Sequence, residues 1–319
     1  MRIVAYDELS PSLDRQRAAL QLGAFRRVFD RRTVSVYRRR WRDFADYVGL
    51  FAVERGELLG QVYVRRIPYR TATAVEQVAG IVAVTTRVDA RRRGVARALL
   101  TEVHRREARL GIRFALLWTN RGWFAHELYE SLGYRDVYLP SLAVRSVGPG
   151  GPGRGDGSLR PPSADELAGL ESLYQELVGS ADGFGPRRRG FLQVVHDSGL
   201  LNLRELRVYR RGGRTVGYAM VASAPYQLTT GELVASEEDL PRLVRALERE
   251  ARGGAFVLSL SPFDRLHEHL EQKGYLVRPG GDWHALMACP LAGQMDAPAL
   301  RHALAIDRPS FSCMAGDRF

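Results

Sequence analysis

The chain has almost no lysine and little cysteine. Of its 47 lysine and arginine residues only Lys273 is a lysine. The two cysteines, Cys289 and Cys313, are too few for a disulfide framework or a zinc site. No run of about 18 apolar residues is present, which excludes a helical membrane span. The first sixteen residues carry acidic side chains and no apolar core segment, so they do not read as a secretory leader. The cytoplasm is the simplest expected location. Histidines are few and badly spaced for a metal: His267 and His269 fall on different faces of a helix, and His104 and His126 have no ligand-spaced companions. No metal is expected.

The net charge of +11 comes without zinc-finger spacing or an RNA-binding aromatic motif, so neither nucleic acid nor a membrane is expected as a partner. An arginine bias this strong reads as codon usage and solvated surface. Its functional alternative is an anionic ligand, such as a nucleotide-bearing cofactor. Self-association is left open.

With 319 residues, 45% of them apolar, the chain has the length of two domains with separate cores. A Gly/Pro-rich stretch over 147–160 reads as a linker. The expected division is a first domain over 1–146, a second over 161–290 and a tail over 291–319. The first contains a mainly helical region from Ser12 to about Asp46, of more than one helix. Then come a hairpin (Phe51–Glu54 and Leu59–Val64), an apolar strand (Gly80–Thr85), a helix (Arg93–Leu110), a buried strand (Phe114–Trp118) and a short helix (Phe124–Leu132). The order predicts a mixed α/β domain. The second domain opens on a helix from Ser163 to about Val178 and repeats the grammar. A hairpin flanks Arg211–Gly213, a helix covers Leu240–Ala251, a strand Ala255–Leu260 and a short helix Leu266–Gln272. Gly274–Tyr275 then echoes Gly133–Tyr134, which points to duplication of one fold.

The chemistry-bearing segment is Arg91-x-x-Gly94-x-Ala96, where a buried strand enters a helix. Gly94 admits a ligand close to the backbone, and the small Ala96 keeps that surface shallow. Unpaired N–H groups at the positive end of the helix dipole suit a pyrophosphate. Arg91, Arg92, Arg93 and Arg97 add charge around it. The bland alternative is a basic helix start with an ordinary turn glycine.

This pattern resembles the acyl-CoA signature of the GNAT N-acetyltransferase superfamily (Q/R-x-x-G-x-G/A). Asn120 followed by Leu128-Tyr129 and Gly133-Tyr134 resembles that superfamily's closing motif. Gly80–Thr86 running into Arg91–Gly94 looks like the enhanced-intracellular-survival type, which places a degenerate second acetyltransferase domain after the first. The resemblance implies two GNAT-like domains, with acetyl-CoA as acyl donor and a primary amine of a small molecule as acceptor. It implies that backbone groups of Val84 and Thr86 pair with pantetheine, and that the N–H groups from Arg92 through Val95 to Arg97 hold the pyrophosphate. Tyr129 then protonates the departing thiolate. Asn120 is either a pantetheine ligand or the cap of the following turn. The C-terminal carboxylate, here Phe319, serves as base in that group, whose members also carry a sterol-carrier-like domain for which this chain has no room. In the second domain the expected phosphate turn is acidic (Glu237, Glu238, Asp239), and Leu270 stands where Tyr129 stands. That half is expected to be silent. The alternatives are a non-catalytic acyl-CoA-binding or regulatory protein, and a mycothiol-synthase-like enzyme, which would use its second domain.

Overall fold

The computed structural model describes residues 1–26, 28, 30–40, 49–149, 157–251, 253–260 and 264–313. The first half runs β1 (Arg2–Ala5), α1 (Pro11–Phe25), α2 (Arg31–Arg40), β2 (Gly49–Glu54), β3 (Glu57–Arg70), β4 (Val75–Thr86), α3 (Val95–Arg109), β5 (Phe114–Asn120), α4 (Phe124–Glu130), β6 (Arg135–Tyr138) and β7 (Ser141–Val147). The second runs β8 (Gly157–Arg160), α5 (Leu167–Leu177), β9 (Asp182–Gly183), α6 (Phe191–Asp197), β10 (Leu206–Arg211), β11 (Arg214–Ala224), β12 (Gln227–Ala235), α7 (Leu240–Glu250), β13 (Gly254–Leu260), α8 (Asp264–Gln272) and β14 (Leu276–Arg278). It closes with β15 (His284–Pro290), α9 (Ala297–Ala303) and β16 (Phe311–Ser312).

These strands build two mixed sheets on one plan, the α/β architecture expected from the element order. The first sheet runs β1-β2-β3-β4-β5-β15-β6 and the second β8-β10-β11-β12-β13-β7-β14. In both, the fourth and fifth strands pair in parallel and the other neighbours along the path are antiparallel. The sixth place of each sheet is filled by a strand from the other half. Strand β15 lies between β5 and β6, and β7 lies between β13 and β14. The sheets thus trade one strand across the Gly/Pro-rich stretch, whose last four residues, β8, form an edge strand against β10.

The repeat extends to single hydrogen bonds. Tyr134 N–H donates to Tyr129 O at 3.1 Å, and Tyr275 N–H to Leu270 O at 3.0 Å. Gly133 and Gly274, which precede these tyrosines, are both left-handed, a conformation glycine adopts without steric cost.

Helix α1 starts at the cap Ser10, whose hydroxyl accepts from Leu13 N–H, and stops where Arg26 turns left-handed at φ 57°. The helical region of the first domain therefore breaks after Phe25, and the β-branched run Thr33–Val36 lies inside α2. Helix α3 buries Val95, Leu99, Leu100 and Val103 against one face of the first sheet. Helices α1 and α2 cover part of the other face. The remainder of that face is covered from the end of the chain, by Leu300, Leu304, Ile306, Phe311 and Cys313.

Candidate active site

Strands β4 and β5 pair only from Ala79 and Ala115 to Ile81 and Leu117. Beyond that point β4 stays with β3 and β5 stays with β15, so the two part like a wedge. A bulge in β4 marks the split. Tyr63 pairs with Val82 and Gln61 with Thr85, which inserts one extra residue, and Ala83 turns left-handed at φ 52°. The wedge opens into a cleft of about 1050 Å³. Its walls come from α1, β3, the free end of β4, the β4–α3 turn, β5 and α4.

Val84, Thr86, Arg91, Arg92, Gly94, Val95, Ala96 and Arg97 all line this cleft. Arg92 is left-handed at φ 60°, and Gly94 caps α3 at φ 76°. The first four-residue helical bond is Ala98 N–H to Gly94 O at 2.9 Å. The N–H groups of Val95, Ala96 and Arg97 therefore have no helical acceptor behind them. A Cβ placed on Gly94 would meet no atom within 4 Å, so the cradle is open and suits a pyrophosphate. Arg91 and Arg92 are exposed at its edge. Arg97 reaches across to Ser131 Oγ at 2.8 Å. Arg93 turns away: its guanidinium pairs with Glu54 at 2.6 Å, outside the cleft wall.

Tyr129 stands on α4, and its ring meets that of Tyr134 edge-on at 5.8 Å. Burial pushes its phenol up to about 12, so it keeps its proton across the neutral range and faces the cleft as a donor. Asn120 is not brought to the cleft. Its Oδ1 accepts from Gly122 N–H at 2.8 Å, which makes it the cap of the β5–α4 turn. Phe319 lies outside the described residues. Among the described residues no three His, Cys, Asp or Glu side chains are grouped to hold a metal ion, and no helix is long and apolar enough to cross a membrane.

Two features of the cleft were not read from the sequence. One is an aromatic wall of Phe25, Trp118, Trp123 and Phe124. The other is a polar cluster on α1, in which the buried Arg17 bonds Asp14, Gln21 and Tyr63. A trace of the second exists in the sequence. The residues that α1 buries are Leu13, Arg17 and Gln21, a four-residue spacing that puts two polar side chains where an amphipathic helix carries apolar ones.

The "Acetyltransferase (GNAT) domain" family matches residues 8–137, the stretch that holds the bulge, the phosphate turn and Tyr129. That stretch is similar to a GNAT acetyltransferase domain. No protein of curated function matches the sequence. Among solved structures, a GCN5-related N-acetyltransferase from Kribbella flavida shares 18% identity with a TM-score of 0.62, over 90% of this chain and 70% of that one. A probable N-acyltransferase from Enterococcus faecalis V583 shares 16% with a TM-score of 0.64, over 90% and 72%. Eis1 from Mycobacterium abscessus shares 17% with a TM-score of 0.52, over 82% and 70%. These likenesses show the two-sheet fold.

Outside residues 8–137, the second sheet repeats the bulge. There Val221 pairs with Thr230 and Met220 with Glu232. Glu232 is thus the second residue past the last regular pair, as Val84 is past Val82. Its carboxylate is fully buried, takes two bonds from Arg187 at 2.9 Å and one from Tyr218 Oη at 2.7 Å. Arg187 also lies over the Tyr174 ring at 3.9 Å. The turn that would hold phosphate has Glu238 and Asp239 paired with Arg211 and Arg242. In the second half, the strand just past the bulge carries a buried ion pair.

Proposed function

We propose that the chain is an N-acetyltransferase that moves an acetyl group from acetyl-CoA directly to a primary amine of a small molecule. One observation carries this reading: the phosphate turn, the parted strands, Tyr129 and the α1 wall all open into a single cleft. The helix-start N–H groups with Arg91, Arg92 and Arg97 would hold the pyrophosphate, and the free edge of β4 at Val84 and Thr86 would take pantetheine as an added strand. Asn120 and the Arg93 side chain are left out of this set. Holding both substrates in one cleft supplies proximity. The amine nitrogen forms a C–N bond to the thioester carbon as the C–S bond breaks. The proton lost by the amine passes to a base, and the thiolate is protonated by Tyr129.

The reading keeps the Phe319 carboxylate as that base. Phe311 packs on Tyr138 at 5.1 Å, Tyr138 on Trp118 at 6.4 Å, and Trp118 lines the cleft, so packed rings link the last described strand to it. CoA release with a panel of amines tests the scheme. Tyr129→Phe is expected to lower kcat about 100-fold with acetyl-CoA affinity kept, and removal of Phe319 to depress kcat at neutral pH. Because the phenol holds its proton up to about pH 12, no loss of rate from its ionisation is expected between pH 7 and 10. A falling limb in that range that vanishes in Tyr129→Phe would contradict the assignment.

A further inference from the structure

The turn from β5 into α4 carries two large rings that the fold leaves in the open. Trp123 is 61% exposed and Phe124 74%, yet both line the cleft. Apolar rings held in water at the mouth of a site mark a surface that meets a ligand. The turn beneath them is pinned. Asn120 Oδ1 accepts from Gly122 N–H at 2.8 Å, and the Asn120 carbonyl accepts from Trp123 N–H at 3.0 Å. Asp136 of β6 clasps the turn from both ends, meeting Arg121 Nε at 3.1 Å and His126 Nε2 at 2.9 Å. Rings on a turn that is already ordered lose little freedom when a ligand settles on them.

Their place along α4 says which part of a ligand they meet. Phe124, Leu128 and Ser131 follow one another at helical spacing and so share a face. At the far end of that face Ser131 Oγ is held by Arg97 of the phosphate turn. Phe124 lies seven residues earlier, about 10 Å along the axis. The thioester belongs deeper, where β4 and β5 part after Ile81 and Leu117 and Tyr129 is buried. A coenzyme held by its pyrophosphate at Gly94–Arg97 therefore sends its pantetheine arm inward and keeps its adenosine at the mouth, beside the exposed rings.

We infer that Trp123 and Phe124 form a stacking platform for the adenine ring of the acyl donor. The inference rests on the acetyl-CoA reading above and adds two residues to that binding site. A planar base offers its π-face to an aromatic side chain whatever its edge groups. Offset stacking covers ring surface that otherwise stays wet. The platform makes the protein favour a donor that carries the nucleotide over the same acyl-pantetheine without it.

Calorimetry on the full chain tests it with three probes: CoA, 4′-phosphopantetheine, which ends before the adenosine, and adenosine 3′,5′-bisphosphate, the nucleoside half. Trp123→Ala and Phe124→Ala are each expected to weaken CoA and adenosine 3′,5′-bisphosphate about tenfold, the scale of one base–aromatic stack. Affinity for 4′-phosphopantetheine should stay as in the native chain, which also checks folding. Phe124→Tyr keeps a ring and should retain native affinity for CoA. An equal loss for CoA and 4′-phosphopantetheine puts the rings on the pantetheine arm and overturns the inference. Native affinity for CoA in the doubly substituted chain overturns it as well. Either result leaves the acetyltransferase reading standing, whereas failure of the native chain to bind CoA or acetyl-CoA overturns both.

Discussion

The two halves of this protein build the same bulged, parted strand pair and use it in opposite ways. In the first, the wedge between β4 and β5 is a cleft of about 1050 Å³. In the second, the strand just past the bulge carries the buried carboxylate of Glu232, bonded by Arg187 and Tyr218. Three substitutions of kind account for the contrast: Val84 against Glu232, the open turn at Gly94 against the self-paired acids Glu238 and Asp239, and Tyr129 against Leu270. The sheet order is common to both. Under the proposed function, activity lies in a few positions laid on a shared frame.

The largest effect should come from breaking the buried ion pair of the second half. Arg187→Ala leaves Glu232 buried without its cation and is expected to cost about 3–5 kcal/mol of stability, read as a fall in Tm and denaturation midpoint. Replacing both partners by apolar residues (Arg187→Met with Glu232→Leu) should recover most of it. If Arg187→Ala unfolds at the wild-type midpoint, the second sheet is not stabilised by this pair. A second contrast concerns the partners of the repeated tyrosines. Tyr134 Oη meets His104 Nε2 at 2.8 Å, whereas Tyr275 Oη bonds the Glu248 carboxylate. Burial pushes the His104 imidazole down to about 4. Its folded pKa lies below that of free imidazole, so protonation favours the unfolded chain. Its contribution is intact above about pH 6.5 and is lost toward pH 4, at about 1.4 kcal/mol per pH unit. Denaturation midpoints between pH 7 and 4.5 should fall on that slope, and His104→Gln should flatten it. The smallest effect is at the open turn. Gly94→Val forces a β-branched residue to φ 76°, a strain of about 1–3 kcal/mol, and should weaken acetyl-CoA binding by calorimetry about tenfold. Unaltered affinity would detach the turn from the cofactor.

Local periodicity made most elements of both halves readable. Val95, Leu99, Leu100 and Val103 mark one face of α3, the paired apolar runs mark the hairpins, and the two Gly–Tyr pairs betray the repeat. The left-handed turn before α3 was readable too, because a glycine before a helix is a local event. The strand exchange was not. His284–Pro290 pairs with Phe114–Asn120 across a long separation, and nothing within either segment specifies its neighbour. Asn120 shows a different limit. An asparagine ending a strand can cap or bind, and only the Gly122 N–H at 2.8 Å decides between them. The Arg17 cluster was hidden because a helix with polar residues on its buried face looks, in sequence, like a solvated one.

The traded strands also set a timetable. The first sheet cannot close β6 against β5 until β15 has been made, since β15 lies between them. Translation at about 5–20 residues per second leaves β5 exposing an unpaired edge for roughly ten to thirty seconds after it leaves the ribosome. The first half waits on the second for β15, so the second half cannot be cut away without opening the first sheet. Ribosome-bound chains arrested before and after His284–Pro290 would be expected to differ sharply in protease resistance of the first half.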